Sequence, residues 1–434
     1  MAFLISTYIM SIESLYEIFC HYPSVQTDTR KLQQGDIYFA LIGENFNGNR
    51  FAEKALEMGA AYAIVDEEEY VLNDHCILVE DVLTTLQQLA LYHRKQFTIP
   101  FIAITGSNGK TTTKELIYTV LSSKYKTYAT EGNLNNHIGV PLTILKIKKD
   151  AEMAIIEMGA NHQLEIASYC AIALPTHGLI NNCGKAHLEG FGGIEGVRKG
   201  KGELYDYVRQ SQGTIFRNTD LPYLYDMSTG ILEQITYGKM QAEYTGIPSM
   251  QNSYLQVAIT SPKLECLIHT HLVGEYNFPN VMAAVAVGRT FQIPIGEIKK
   301  SIEMYTPSNS RSQLLQLNGN TIILDAYNAN PSSMSEAISN FVQTDYPNKV
   351  IMLGAMMELG KESITEHKRI IHVLEETNWN HVVLVGGDFE RVPHSYTYFP
   401  NSEEAKIWFQ SMKFENTAIL LKGSRAMAME KVIQ

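Results

Sequence analysis

Short apolar runs alternate with amphipathic segments along almost the whole chain. Near the start, Ser11 is a helix cap ahead of Ile12, Leu15, Ile18 and Phe19, which share one side of a helix; residues 1–9 then read as an extension outside the fold. From Ser24 to Pro100 the pattern predicts a small α/β unit. It has a strand over 36–41, a helix over 50–58, a strand over 61–65, an amphipathic helix over 83–95 and a boundary at Ile99–Pro100.

A second stretch opens with the β-branched run 101–105 and a helix over 111–123 whose Leu116, Ile117, Val120 and Leu121 face inward. Apolar runs at 154–156 and 178–180 continue it, and the polar, less regular 210–270 region reads as extra strands. After the turn-rich Pro307-Ser308-Asn309-Ser310, buried strands are predicted at 321–324, 350–353, 381–385 and 418–421. The last three run into Gly354, Gly386 and Gly423, as where strands of a doubly wound sheet end at a ligand crevice. Three α/β domains, 1–98, 99–307 and 308–434, are the economical reading.

A chain of 434 residues, 45% hydrophobic and 19% charged, is globular in composition and too long for one ordinary core. With 35 basic against 46 acidic residues the formal charge is −11, so no global basic field draws nucleic acid or an anionic membrane. Any anionic ligand must be held locally. The cysteines at 20, 76, 170, 183 and 266 are scattered and form no C-x-x-C pair. This argues against a disulfide framework or zinc site and for a reducing cytoplasm. MAFLISTYIM lacks a basic leader and a cleavage site, and no run of about 18 apolar residues follows, so neither secretion nor membrane insertion is expected.

The chemistry starts at ITGSNGKTTTKE, residues 104–115, which lies between a strand and a helix. Gly106 and Gly109 let the backbone N–H groups of Gly106, Ser107, Asn108 and Gly109 turn around phosphate oxygens. Lys110 adds charge, the Thr111 hydroxyl can hold Mg2+, and Thr112 continues the first turn. The nucleotide expected is ATP, although G-S-N-G-K-T is shorter than G-x-x-x-x-G-K-[ST] and a glycine turn before a helix is common. Downstream features are each ambiguous. Glu157 ends an apolar strand, where an acid can serve Mg2+ or simply face solvent. His187 and Glu189 stand in a glycine-flanked loop, and Arg198, Lys199 and Lys201 suit a solvated helix face. Asn277 and Asn280 suit an adenine edge or a helix cap.

Order and wording resolve the ambiguity. The series is T-G-S-N-G-K-T-T, N-L-N-N-H-I-G-V-P-L-T, E-M-G-A, A-H-L-E-G-F-G-G with K-G-E-L, Y-N-F-P-N, L-D-A-Y-N-A-N-P-S-S-M, M-E-L-G and K-G-S-R-A-M-A-M-E. Preceded by T-D-T-R-K-L-Q-Q-G-D-I-Y-F-A-L-I-G-E-N-F-N-G, it resembles the Mur ligase family from about Met10 onwards. The resemblance implies an α/β, three-domain architecture: a UDP-substrate domain, a central P-loop ATPase-like parallel sheet and a C-terminal Rossmann-like domain. It also implies ATP-dependent ligation of D-Ala-D-Ala to UDP-MurNAc-tripeptide through an acyl phosphate, by a monomer.

The same resemblance assigns roles. Lys110 and Thr111 are implied to hold ATP phosphates and Mg2+, Glu157 to bridge to magnesium, and His187 to ligate a second ion. Lys201 is implied to be carbamylated and to help hold the metal. Asn277 and Asn280 fall on the adenine side, and Arg311, Asp325 and Tyr327 on the nucleotide from the third domain. Thr27, Asp28 and Arg30 fit the UDP side, with Asn135, Asn136, Asn328 and Asn330 toward substrate. Three positions depart from the family wording: Ala355 where aspartate is frequent, Tyr276 where histidine is usual, and Asn49 in place of a frequent histidine. Another amide ligase of this superfamily, or a nucleotide-binding regulator without turnover, are the competing readings.

Overall fold

The computed structural model describes residues 10–262, 264–308 and 310–434; the 1–9 extension and Asn309 of the predicted linker lie outside the described residues. Two compact units emerge. One comprises the chain up to Ala103 with Tyr125–Gly159 and Glu165–His177; the other comprises Ile104–Lys124, Ala160–Leu164 and Gly178–Gln434.

In the first unit, helix Ile12–His21 is capped by Ser11, whose side chain accepts from the Ser14 N–H, and it buries Leu15 and Phe19. Strands Val25–Gln26, Ile37–Phe39, Tyr62–Val65 and Cys76–Leu78 form a four-stranded sheet in that order, all parallel. Helix Val82–Arg94, capped by Asp81, turns Leu86, Leu89 and Ala90 inward. Its last turn is fastened by polar contacts. His93 bonds to the Tyr16 hydroxyl (3.0 Å) and the Ile147 carbonyl (2.8 Å), and the Arg94 guanidinium donates to Ala173 O (2.7 Å) and lies 3.6 Å over the Phe101 ring. Strand Phe101–Thr105 is buried at every position, so each of its larger apolar side chains contributes about 1.5–3 kcal/mol. Next to it come Met153–Glu157 and then Thr127–Ala129, the last two parallel.

In the second unit the order outward from Phe101–Thr105 is His177–Ile180, Thr214–Asn218, Glu233–Gly238, Tyr244–Gln251, Tyr254–Ile259 and Cys266–Val273. The predicted extra strands over 210–270 are present, but they do not all continue a parallel sheet. Pairing is parallel from Thr214–Asn218 to Tyr244–Gln251 and antiparallel from there to Cys266–Val273.

The C-terminal sheet runs Gln313–Leu317, Asn320–Asp325, Ala418–Lys422, Lys349–Gly354, His381–Val385 and Thr397–Phe399. All neighbours are parallel except the first pair. That pair is a hairpin closed by Asn318 and Gly319, both at positive φ (49° and 78°), the signature of a type I′ turn. The strand at 313–317 therefore had a sequence signal, Asn-Gly, that the apolar pattern alone passed over. Ile322 and Leu324, Val350 and Met352, Val383 and Val385, and Ile419 and Leu421 alternate onto one buried face. The glycines at the strand ends do different work from the crevice expected of them. A Cβ on Gly354 or Gly423 would meet Met427 or Met429 at 2.8 Å or less, so these glycines let the C-terminal turns close over the sheet.

Among the described residues no helix is long and apolar enough to cross a membrane. His177, at the end of the first unit, has its ring pushed down to about 4 by burial. Because the folded value lies below the unfolded one, the unfolded chain binds more protons between about pH 6.5 and 4, and stability falls as pH falls through that window. Denaturant unfolding should therefore lose about 2 kcal/mol from this group between pH 7 and 5. His177→Gln should flatten that dependence.

Candidate functional site

Strand Phe101–Thr105 delivers the chain to Gly106, and helix Lys110–Ser122 starts at Gly109, which takes φ +79° and provides no side-chain cap. The first-turn N–H groups of the helix thus point out of its positive end, the arrangement that receives an anion. Lys110 folds back over the loop, its Nζ donating to the carbonyls of Gly106 (2.6 Å) and Ser107 (3.4 Å). Thr111 is 6% exposed in the same turn.

The loop is held from behind by the segment following His177–Ile180. The Ser107 N–H donates to Asn182 O (3.0 Å) and the Ser107 hydroxyl to Gly184 O (2.9 Å). Asn182 grips the Asn108 peptide at both ends, accepting from its N–H (3.0 Å) and donating to its carbonyl (3.2 Å). Two of the loop N–H groups expected to face phosphate, those of Ser107 and Asn108, are therefore committed to protein acceptors. The loop's anion-facing edge shifts to Gly109 and the first helical turn.

Two C-terminal segments reach the same loops. Asn330 caps helix Pro331–Val342 in a capping box with Ser333 and sends its Nδ2 to Asn108 Oδ1 at 2.6 Å. The Ser332 hydroxyl accepts from the Lys185 N–H (3.0 Å), while Lys185 Nζ and Arg369 both donate to the buried carboxylate of Glu366, at 2.6 and 2.8 Å. His187 and Glu358 both have left-handed backbone, φ 52° and 62°, and His187 Nδ1 lies 2.5 Å from Glu358 Oε2. That contact holds the Glu358 carboxyl below the usual range. The Glu358 loop is itself anchored by buried His367, whose Nε2 accepts from the Met356 N–H (3.1 Å) and whose pKa is lowered by burial. Helix-start dipole, lysine, threonine hydroxyl and flanking amides together have the chemistry to receive a polyphosphate.

The Mur ligase family catalytic domain matches residues 21–95, the Mur ligase middle domain residues 104–288, and the Mur ligase glutamate ligase domain residues 310–425. The UDP-N-acetylmuramoyl-tripeptide–D-alanyl-D-alanine ligase of Bacillus subtilis is 34% identical over 431 residues, covering 94% of this chain and 92% of its own. The chain belongs to the Mur ligase family. The ligase of the same name from Escherichia coli is 31% identical over 95% of this chain and 93% of its own. MurF from Acinetobacter baumannii superposes with a TM-score of 0.85 at 30% identity, covering 94% of this chain and 92% of that one. MurF of Thermotoga maritima, solved with ADP, superposes at 0.84 and 26% identity over 94% and 96%.

The other residues singled out in this Mur ligase fall as follows. Lys201, on helix Ile194–Gln210, is 1% exposed, so it does not lie on a solvated face; its Nζ donates to Ala160 O (3.1 Å) and sits 5.0 Å over the Phe191 ring. Asn280 and Asn277 are buried at the start of helix Phe278–Thr290 and bonded to each other (2.9 Å). Arg311 stacks on Tyr327 at 3.5 Å, with Arg425 at 5.8 Å. Asp325 is paired with buried Lys422 (2.5 Å), which also reaches Asn328 O (3.5 Å). Tyr276 is bonded to Ser312 (2.9 Å), and burial raises its phenol. Ala355 is fully buried, and a Cβ on Gly387 would already lie 2.4 Å from its methyl, so there is no room here for a larger side chain without rearrangement.

Within the first unit, Glu157 is 1% exposed; Asn135 donates to its Oε1 (2.7 Å), and its N–H donates to Thr130 (2.9 Å). Asn136 accepts from Gly139 N (2.9 Å) at the start of helix Gly139–Leu145. Asp28 and Arg30 form a two-point pair (2.9 and 2.8 Å) that lowers the Asp28 carboxyl to about 2, and the Thr27 N–H donates to Gln26. Asn49 bonds both the side chain (2.7 Å) and N–H (3.1 Å) of Asp66. Sequence reasoning missed Asn182, Ser332, Glu366 and His367. Only the doubled Asn181-Asn182 at a strand end was a usable signal.

Gly109 tests the loop geometry. A Cβ there would meet Asn280 Oδ1 at 2.7 Å, whereas at Gly192 (φ +72°) it would meet nothing within 4 Å. Gly192→Ala should cost only the left-handed backbone penalty, about 1 kcal/mol by denaturant unfolding, and Gly109→Ala about 2 kcal/mol or more.

Proposed function

We propose that this Mur ligase joins D-Ala-D-Ala to UDP-MurNAc-tripeptide with ATP, giving UDP-MurNAc-pentapeptide, ADP and phosphate for peptidoglycan precursor synthesis. The observation that carries the reading is the strand–glycine loop–helix start with Lys110 folded over it, in a chain whose full-length relatives bear that activity in their names.

A carboxylate is a poor acyl donor. Its oxygen attacks the γ-phosphorus, the bond to the ADP oxygen breaks, and the acyl phosphate that forms has a good leaving group. The neutral amine of the dipeptide then attacks the acyl carbon, phosphate departs, and the nitrogen loses a proton. The Lys110 ammonium, released from the Gly106 carbonyl, and the first-turn N–H groups compensate charge on the transferring phosphoryl oxygens. The acyl phosphate hydrolyses readily, so contacts such as Asn330 to Asn108 on the phosphate loop and Glu358 to His187 beside it serve to exclude water.

Among the described residues no group of three His, Cys, Asp or Glu side chains forms a metal cage. Mg2+ takes one or two protein oxygens together with phosphate and water. Bound there, it would neutralise phosphate charge. Thr111 supplies a hydroxyl in the first turn, and the family resemblance adds Glu157 and a carbamylated Lys201, with His187 for a second ion, as the residues that would hold magnesium. The buried Lys201 nitrogen is shielded from bulk water, so a carbamate there would persist only beside a cation. The domain boundaries at about 99 and 308, a cytoplasmic location and a monomeric state belong to the same proposal. The family matches at 21–95, 104–288 and 310–425 support the boundaries.

Phosphate release should require ATP, Mg2+, UDP-MurNAc-tripeptide and D-Ala-D-Ala together, with a product heavier by one dipeptide residue mass. Running the meso-diaminopimelate and L-lysine tripeptides side by side identifies the preferred one. Release without the dipeptide would indicate a plain ATPase, and binding without release a regulator. Lys110→Met should lower kcat by about 100-fold or more. Lys201→Ala should lose activity that bicarbonate does not restore; full activity in that variant would remove the carbamate from the mechanism.

A further inference from the structure

Both glycines of the phosphate loop are pressed against one residue that neither the motif nor the family assignment singles out. A Cβ on Gly106 would lie 2.8 Å from Asn181 Cβ, and one on Gly109 would lie 3.0 Å from Asn181 Nδ2. Asn181 is 5% exposed and bridges the elements on either side of the loop. Its N–H donates to Thr105 O (2.9 Å), at the end of the strand entering the loop. Its Nδ2 donates to Thr113 Oγ1 (2.7 Å), in the helix leaving it, and to Asn280 Oδ1 (3.1 Å), in helix Phe278–Thr290. Thr113 in turn donates to Asn280 (2.9 Å), closing a triangle of buried polar groups. Asn181 Oδ1 has no partner among the described residues, so this amide is oriented by its donors alone.

We infer that Asn181 is a positioning residue that sets the span of the phosphate loop, holding strand end, helix start and both glycines at the separation a polyphosphate needs. The inference rests on the reading of this loop as the ATP site. It also gives Asn280 a second duty. Both acceptor sites of Asn280 are filled by Thr113 and Asn181, so this side chain braces the phosphate loop whatever it offers a nucleobase with its remaining N–H.

A base-free probe separates loop span from nucleobase recognition. Binding of tripolyphosphate, ATP and GTP, each with Mg2+, is measured by calorimetry on the full chain, for wild type, Asn181→Ala and Asn181→Ser. Losing two neutral donors should raise the Kd of tripolyphosphate and ATP together by about tenfold in Asn181→Ala. The ATP-to-GTP preference should stay unchanged, and serine, which keeps one donor on the same Cβ, should recover part of the loss. Wild-type tripolyphosphate affinity in Asn181→Ala would overturn the inference, as would a change confined to the ATP-to-GTP ratio. If the alanine variant does not fold, Thr113→Val removes the hydroxyl that Asn181 grips while keeping its shape. Parallel loss of ATP and tripolyphosphate affinity supports the inference, and unchanged affinity overturns it. Failure of the wild type to bind ATP or tripolyphosphate would instead overturn the nucleotide-site reading beneath it.

Discussion

The clasp between the segment after His177–Ile180 and the glycine loop is the constraint on which the rest of the site depends. A helix start collects N–H groups that have no intrahelical acceptor, and clustering them leaves a positive potential that an unliganded loop tends to relieve by opening. Here the loop is held in shape from behind. Asn182 ties down both ends of the Asn108 peptide, its carbonyl accepts from Ser107, and Asn181 packs against both glycines. The energy of holding the turn is thus supplied by fold-internal hydrogen bonds before any ligand arrives.

Charge is managed separately from shape. The chain carries a formal −11, and on the proposed reading the loop accepts a highly anionic group through cations placed one at a time. Lys110 Nζ donates to the carbonyls of Gly106 and Ser107. Lys185, by contrast, shares the Glu366 carboxylate with Arg369 and is tied to the C-terminal helix Ser363–Glu375. On the proposed reading Lys110 serves phosphate, while Lys185 serves as structure.

Much of this was legible in the sequence. The strands at 101–105, 350–353 and 418–421 follow from runs of apolar residues that only a sheet buried on both faces can use, and the glycine loop between strand and helix follows from its wording. What could not be read depended on partners distant in the chain. Lys201 looks like part of a charged helix face until Phe191 and Ala160 close over it. The antiparallel edge beyond Tyr244–Gln251 is a matter of which neighbour a strand finds, and its alternation of polar and apolar residues carries no direction. Asn181 and Asn182 follow an apolar strand with no motif to mark them, and their function lies in the Thr105, Asn108 and Thr113 groups they meet, some 70 residues earlier.

The residue type chosen for these contacts has its own logic. Asn108, Asn181, Asn182, Asn277, Asn280 and Asn330 all act within or beside the phosphate loop. A carboxylate in any of these places would repel a polyphosphate through a poorly screened interior, and an ammonium would compete with Lys110 for it. An amide offers a donor and an acceptor with no net charge, so it can fix the geometry of an anion site without altering its potential. Side chains that shape the loop are neutral, and on the proposed reading the charge that meets the ligand is left to the helix start and Lys110. That division lets the Asn330 contact from the C-terminal domain change the seating of the loop without changing its charge.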